Sequence, residues 1–436
     1  MAILMWLTGM LATIALALWA MVIFSPATRH NGRFTYNLNH QPDDLNFAVD
    51  GEPISDTWPG DPETWPAVTV VAPGRNEGHV LAKTLGSLCR MNYPNYRVVF
   101  VDDQSSDSTA DICRDLENRF KHLAVIHNQT PPPSGWTGKV WAVHQADEWM
   151  TTPYVLFTDS DMEHHPESLK HAMRLMLHRK LDLLTLLPWM TPGGALEQAV
   201  MLTATLAIQR LAPLPVVNRS THPAPLTAGA YMLFRTAAYD AIGRHSGIRS
   251  QIIEDLAIGR RTRAEGFRVF TTYSPDLLSG RMYEGLRDTY YGLKKNAYTG
   301  LNCSLLWAIL ALSSLLTLGV LVPVYLMVGV AGLLVHPSAG WFATALIALV
   351  LNLLFFAHAH RVRKEARQRA GVEFLLPLGI LFSMLTLMGS MWDYYVHGGS
   401  IWAGRIYSKA RIDHTAPLVD ADKNRGSPQN IASHRP

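Results

Sequence analysis

Residues 156–165 read LFTDSDMEHH, and the fold turns on what this stretch is. An apolar run stops abruptly at Asp159-Ser160-Asp161. Asp and Ser are turn formers and Pro166-Glu167 is able to open a helix, so a capped turn is the plain reading. The alternative is a cation site, because residues i and i+2 at a strand end point the same way and let both carboxylates face one hard ion. The tripeptide alone leaves both open.

The flanking sequence decides between them. AVTVVAPGRNEG predicts a buried strand over Val68–Ala72 and a loop, and HVLAKTLGSLCRM has the helical spacing of Val80, Leu81, Leu85 and Leu88. YRVVFVDDQSSDSTADICRDLENRF predicts a second strand over Val98–Val101, a polar turn and a helix over Thr109–Phe120. LAVIHN reads as a third strand, KVWAVHQADEWM as a helix and YVLFTDSD as a fourth strand. Strands alternating with helices predict an α/β domain with a mostly parallel sheet covered on both faces. Ligands of such sheets gather at the carboxyl ends of the strands. Glu77, Asp102-Asp103 and Asp159-Asp161 all fall there. Three independent turns would have to be acidic by accident for the plain reading to hold, so the ligand-site reading prevails. Neither G-x-G-x-x-G nor G-x-x-x-x-G-K-[ST] occurs. A nucleotide here is therefore expected to be held by carboxylates and a cation, an arrangement suited to a nucleoside diphosphate leaving group.

The apolar content of the 436 residues, 48%, is unevenly spread, and this fixes the organisation. Residues 2–24 carry no charge and are long enough to cross a bilayer. Comparable blocks recur only at Leu305–Val335, Trp341–Ala357 and Phe374–Trp392. The expected plan is an N-terminal anchor (1–25), a linker (26–65), a catalytic domain (66–300), transmembrane or interfacial helices (301–395) and a basic, then disordered, tail (396–436). A cleaved signal peptide is the alternative for the first block. Its start lacks Lys and Arg, while Arg29 and Arg33 follow it, which favours an anchor with its C-terminal side in the cytoplasm. The basic loop Arg361–Arg369 belongs on that side too, and so does the tail IWAGRIYSKARI, which leaves 374–392 as either a span or a re-entrant, interfacial segment. Residues 193–213 read either as an interfacial helix near an acceptor entrance or as a core helix of the catalytic domain. Three cysteines give no disulfide framework, and a small, scattered charge of +3 argues against a nucleic-acid partner. His164-His165 and His358/His360 lack structural-zinc spacing.

Six stretches in order, VVAPGRNEG, VVFVDDQSSDSTADI, GWTGKVWAVHQ, LFTDSDMEHHPESL, TAGAYMLFRTAAYDAIGR and IIEDLAIGRRTRAEGFRV, resemble family 2 glycosyltransferases. The resemblance covers residues 66–300. It implies a GT-A fold, a UDP- or GDP-sugar donor, Mg²⁺ or Mn²⁺ as cofactor and inversion at the anomeric carbon. The stretch PPPSGWTGKVWAVHQ, the apolar blocks and the tail GSIWAGRIY are similar to membrane glycosyltransferases associated with hopanoid and carotenoid pathways, which implies a lipid acceptor, through a hydroxyl or a carboxyl group. It further implies a multi-pass protein of the cell membrane whose catalytic domain is cytoplasmic. By position, the resemblance gives donor contacts to Glu77, Asp103 and Asp159, and the metal to Asp161 of the D-x-D motif. Lys139 would face the diphosphate, its plain alternative being a surface lysine. Asp255 takes the place of the catalytic base, although by chemistry Glu254 serves as well and either acid is able to cap a helix.

The polymer-synthase motif Q-x-x-R-W is absent. That points to transfer of one sugar, with a polysaccharide synthase or an inactive sugar-nucleotide-binding regulator as the other readings. In 285–301, Arg287, Lys294 and Lys295 are candidates for pyrophosphate or lipid headgroups, or for a basic juxtamembrane helix.

Overall fold

The computed structural model describes residues 35–36, 38–39, 60–191, 193–402 and 405–408. The expected anchor and the far tail lie outside them. The strands in chain order are β1 (Val68–Gly74), β2 (Tyr96–Asp103), β3 (Leu123–Asn128), β4 (Tyr154–Phe157), β5 (Met162–His164), β6 (Leu183–Leu187), β7 (Trp189–Met190), β8 (Met232–Arg235), β9 (Val269–Tyr273), β10 (Leu278–Gly280), β11 (Gly399–Trp402) and β12 (Arg405–Ser408). The helices of the first part are α1 (Leu81–Leu88), α2 (Thr109–Arg119), α3 (Gly138–His144), α4 (Ser168–His178), α5 (Ala195–Leu211), α6 (Leu214–Val217), α7 (Thr236–Ala241) and α8 (Glu254–Ala264). α9 (Gly285–Ala297), α10 (Leu305–Leu316), α11 (Val322–Val335), α12 (Ala339–Glu365) and α13 (Leu376–Val396) follow.

Seven strands form one sheet in the order β3-β2-β1-β4-β8-β6-β9. β1, β2, β3 and β4 are parallel, as are β6 and β9. β8 runs antiparallel to both neighbours, the one departure from the expected parallel run. Alternate residues of each strand serve opposite faces. Val70, Ala72, Val98, Phe100 and Leu156 pack beneath α1, α2 and α4, while Val71, Val99, Val101, Val155 and Phe157 pack against α3, α7 and α8. Burial on both faces is what the unbroken apolar runs of these strands require. A second sheet, β5-β10-β7, stands beside the carboxyl end of β4.

Beyond the sheet the chemistry of the surface changes. Leu306, Trp307, Met327, Leu334, Phe342 and Leu353 are more than half exposed on α10, α11 and α12. Ala195–Val217, Leu305–Val335, Ala339–Glu365 and Val372–Val396 are long and apolar enough to cross a membrane. A π-turn over Thr317–Leu321 joins α10 to α11 just before Pro323, where a kink is expected from the missing N–H. α5 belongs with these helices and not to the sheet's core. Its Ala199 and Leu202 pack on Ala359, Val362 and Leu376, and Gly379 of α13 lies so close that a Cβ there would come within 2.5 Å of the Ala199 carbonyl oxygen. The first turns of α13 thus meet α5, while its last meets α9, through Asp393 and Lys294 at 2.7 Å.

Candidate active site

The site lies along the carboxyl ends of β1, β2 and β4. Asp103 ends β2, where its Oδ1 accepts from Asn128 Nδ2 (2.7 Å) and Gln104 Nε2 (3.1 Å). Asp102 beside it pairs with His127 at 3.0 Å. The loops here hold strained backbone: Asn76 (φ 58°) and Gln104 (φ 60°) both adopt the left-handed conformation unusual for a side-chain-bearing residue. Glu77 sits three residues past β1, where its carbonyl oxygen accepts from Val80 N and Leu81 N at the start of α1. Burial raises its carboxyl above the usual range, against a hydrogen bond from Ser160. β2 and β4 flank β1, so Asp103 stands roughly 10 Å from the D-x-D turn, two strand spacings away.

Asp159 and Asp161 follow β4 directly. Thr158 anchors their turn by donating to the Ala230 carbonyl oxygen (2.8 Å). The two acids are not equivalent. Asp159 Oδ1 is 2.5 Å from Lys139 Nζ, whereas Asp161 Oδ1 is buried and has no hydrogen-bond partner among the described residues. Burial, then the charges of Asp159 and Glu77, push the Asp161 carboxyl up to about 7, with Lys139 opposing. An anionic oxygen without a donor, crowded by like charges, is the environment that a divalent cation satisfies.

Lys139 is held in reach by the first turn of α3, which opens at Thr137, whose N–H donates to the Arg249 carbonyl oxygen (2.8 Å). Its ammonium also contacts Glu254 Oε1 at 2.7 Å, so one lysine bridges the D-x-D turn and the start of α8. Desolvation works against the charge of Lys139, but Asp159 and Glu254 outweigh it and raise the amine well above its usual range.

The two acids that open α8 differ in the same way. Glu254 is opposed by burial, yet Lys139 and Lys295 hold its carboxyl down at about 2. Asp255 is raised to about 6 by burial and by Glu254, with Lys139 opposing. Its Oδ2 accepts from Gly229 N (3.1 Å) and its Oδ1 from Leu256 N (2.8 Å), which fixes the carboxylate plane. The cap position itself is Ile253, so the helix has no side-chain cap there, and Asp255 serves its first turn through Leu256 N. Of the two, Glu254 is a permanent anion paired to Lys139, and Asp255 is the one whose protonation changes near neutrality.

Gly229 is the piece that motif reading missed. A Cβ there would lie 2.8 Å from Lys139 Nζ and 3.2 Å from Asp159 Oδ1, and its N–H holds Asp255. The signal was the run of small residues Thr227-Ala228-Gly229-Ala230 before β8. The basic residues of α9 divide: Lys294 is tied to Asp393 and so does not serve the site, while Lys295 lies within electrostatic reach of Glu254.

The family model for "Glycosyltransferase like family 2" matches residues 66–284. The chain is 24% identical to the 4,4'-diaponeurosporenoate glycosyltransferase of Staphylococcus haemolyticus over 55% of its own length and 63% of the relative's. It is 29% identical to the beta-monoglucosyldiacylglycerol synthase of Trichormus variabilis over 27% of its own length and a quarter of the relative's (25%). It thus spans less than two thirds of either. Among solved structures, the mannosyltransferase PcManGT from Pyrobaculum calidifontis aligns with 89% of this chain and 99% of its own, at 14% identity and a TM-score of 0.47.

Proposed function

The chain belongs to the glycosyltransferase-like family 2 with a GT-A-like fold, and from that premise we propose that it is a multi-pass membrane enzyme that moves one sugar from a nucleoside diphosphate sugar to a lipid hydroxyl with inversion. The observation that carries the reading is the pairing of Asp255, poised at about 6 and fixed by two backbone N–H groups, with a D-x-D turn whose Asp161 is deprotonated only at a cost. A general base works best with a pKa near the operating pH.

In the proposed step the lipid hydroxyl gives its proton to Asp255 while its oxygen attacks the anomeric carbon. The bond to the diphosphate breaks on the opposite face. Glu77 and Asp103 hold the nucleoside, and Asp159 with Lys139 faces the diphosphate. Asp161 would hold Mg²⁺ or Mn²⁺, and the cation, when bound, neutralises charge on the leaving phosphates.

Lipid acceptors are supported by the names of the two relatives, one a diaponeurosporenoate glycosyltransferase and the other a monoglucosyldiacylglycerol synthase. Orientation follows from charge. The basic loop after α12 touches the catalytic domain through Arg367 and Asp276 (2.5 Å), and its Arg369 N donates to Gln198 Oε1 on α5 (3.0 Å). Loop and domain therefore share a side, the cytoplasmic face of the cell membrane by the positive-inside rule.

The test is nucleoside diphosphate release by detergent-solubilised protein with Mg²⁺ or Mn²⁺, across UDP- and GDP-sugars, with and without lipid extract. Lipid-stimulated release from one donor, abolished in Asp255→Asn and Asp161→Ala, is expected. Turnover unchanged in Asp255→Asn would overturn the mechanism.

A further inference from the structure

The D-x-D turn hangs on one buried hydroxyl. Thr158 follows β4, and its Oγ1 lies 2.8 Å from the Ala230 carbonyl oxygen and 3.0 Å from His164 Nε2. Two oxygens that close need a proton between them, and a carbonyl has none to give. The single hydroxyl proton of Thr158 therefore points at Ala230. Toward His164 the same oxygen can only accept, so the ring carries its proton on Nε2. Nδ1 gives the same answer independently. It is buried and has no hydrogen-bond partner among the described residues, so a proton there would be stranded. Burial also holds the ring neutral, its pKa pushed down to about 3.

His164 is tied on its other side as well. Its N–H donates to Ser87 Oγ (2.9 Å), which donates in turn to the Thr84 carbonyl oxygen (2.6 Å) on α1. Glu77 begins the turn that opens that helix. Ala230, which takes the Thr158 proton, follows Gly229, whose N–H holds Asp255. One imidazole thus stands between the D-x-D turn, the Glu77 loop and the backbone that cradles the base. An apolar side chain would fill the same space but would bring no donor. The Thr158 hydroxyl would then be free to turn to the Asp159 carbonyl oxygen, 3.4 Å away.

We propose that His164 is a positioning residue of the transfer site: its Nε2–H keeps the Thr158 proton on Ala230 and so sets the D-x-D turn against the Gly229–Asp255 cradle. The inference rests on the glycosyl-transfer reading and adds to it a residue that touches neither donor nor acceptor.

The test uses the full chain in lipid nanodiscs with isotope-labelled histidine, the His164 ring nitrogens assigned by difference with His164→Gln. Nitrogen NMR should show a neutral ring protonated on Nε2 throughout the range of about pH 5–8 in which an ordinary histidine titrates. A ring protonated on Nδ1, or one that takes up a second proton there, would overturn the role. Mn²⁺ binding in the presence of UDP, and separately of GDP, is then read by electron paramagnetic resonance. His164→Leu should weaken it about tenfold, the size of one lost hydrogen bond. His164→Gln, whose amide offers a donor near the place of Nε2, should restore most of it. Thr158→Val should weaken it as much, and the double variant no more than either alone, because both remove one link. Equal affinity in all forms, or a loss in His164→Leu that glutamine does not recover, would make His164 a packing residue only. Sugar-nucleotide turnover on the same preparations separates the two claims. Rescued Mn²⁺ affinity with no turnover in any form refutes the transferase reading and leaves the positioning role. Turnover with unaltered affinity in His164→Leu refutes the positioning role alone.

Discussion

Lys139 and Lys294 are both tied to carboxylates, and their surroundings could hardly differ more. Lys139 bridges Asp159 and Glu254 at 2.5 and 2.7 Å on an open rim, its side chain 40% exposed. Glu77, Asp161 and Asp255 crowd the same rim, and Lys295 adds a second positive charge. Lys294 meets Asp393 at 2.7 Å where α9 packs on α13, with side chains 16% and 5% exposed and the rings of Tyr290 and Tyr291 each 5.8 Å from the ammonium. The second pair is neutral and sealed. The first is left in excess of acid, at a cost that folding alone gives no reason to bear. Uncompensated charge of this kind belongs to a site that awaits a counter-charge from a ligand.

The sharpest way to break this contrast is to remove charge from each region and compare readouts. Asp255→Asn is expected to lower kcat by about 10²–10⁴-fold, the usual worth of a general base. Its melting temperature should hold or rise, since a carboxylate opposed by Glu254 has gone. Sugar-nucleotide turnover and thermal unfolding in detergent, run on one preparation, check both. Lys294→Met should do the reverse. Leaving Asp393 to His397 Nδ1 alone, 3.3 Å away, is expected to cost up to about 3–5 kcal/mol of stability, and Lys294→Met with Asp393→Leu to recover most of it, because an apolar pair replaces a buried ionic one at little net cost. Denaturant titration reads the recovery. If the double variant stays as unstable as the single one, the neutral-pair account of α9 and α13 fails.

Acidity gives the next, smaller effects. Asp255 must be deprotonated to act, so kcat/KM should fall about tenfold per unit below an apparent pKa of about 6. Lys139 holds Asp255 down, so Lys139→Met should move this acid limb to higher pH. The linkage to stability has a definite sign. Asp161 and Asp255 sit at about 7 and about 6 in the folded chain against 3.8 as the ordinary value. Between about pH 4 and 7 the folded state therefore binds more protons than the unfolded one, and ligand-free stability should fall as pH rises through that window. Asp161→Asn should flatten the slope, and added Mn²⁺ with nucleoside diphosphate should do likewise in the unaltered chain. A melting temperature independent of pH over this range would remove the acid-excess argument.

What was legible in the sequence follows the same division. The parallel half of the sheet could be read because its strands are short, mainly apolar runs between helical patterns, and two of them run into acids, Val98–Asp103 and Tyr154–Asp161. The antiparallel β8 could not, since MLFR carries no mark of its direction; that depends on pairing with β4 and β6. Asp161 and Asp255 were found by motif, but the orphaned oxygen of one and the two backbone donors of the other belong to tertiary structure. Lys139 was expected to face a diphosphate. Its grip on Glu254, more than a hundred residues away, was beyond any local pattern. The helix over Ala195–Leu211 shows the limit most plainly. Its sequence fits a catalytic-domain core or an interface equally, and only its contact with Ala359, Val362 and Leu376 assigns it to the apolar bundle.

The smallest expected effect comes from Gly229, and it bears on the contrast most directly because one backbone position serves both halves of the rim. Gly229→Ala places a methyl 2.8 Å from Lys139 Nζ and 3.2 Å from Asp159 Oδ1. The lysine end is flexible and will swing away, so folding should be little affected. Its displacement loosens the bridge from Asp159 to Glu254, while the Gly229 N–H remains available to Asp255. The base is thereby kept and the lysine moved. A roughly tenfold loss in kcat/KM is expected, of the size that a small misplacement of an active-site group produces. The acid limb should shift up as in Lys139→Met, since less positive charge faces Asp255. A loss of rate with an unshifted limb would mean that Asp255 itself had been displaced. Full activity would mean that Lys139 holds the rim together and takes no part in the transfer.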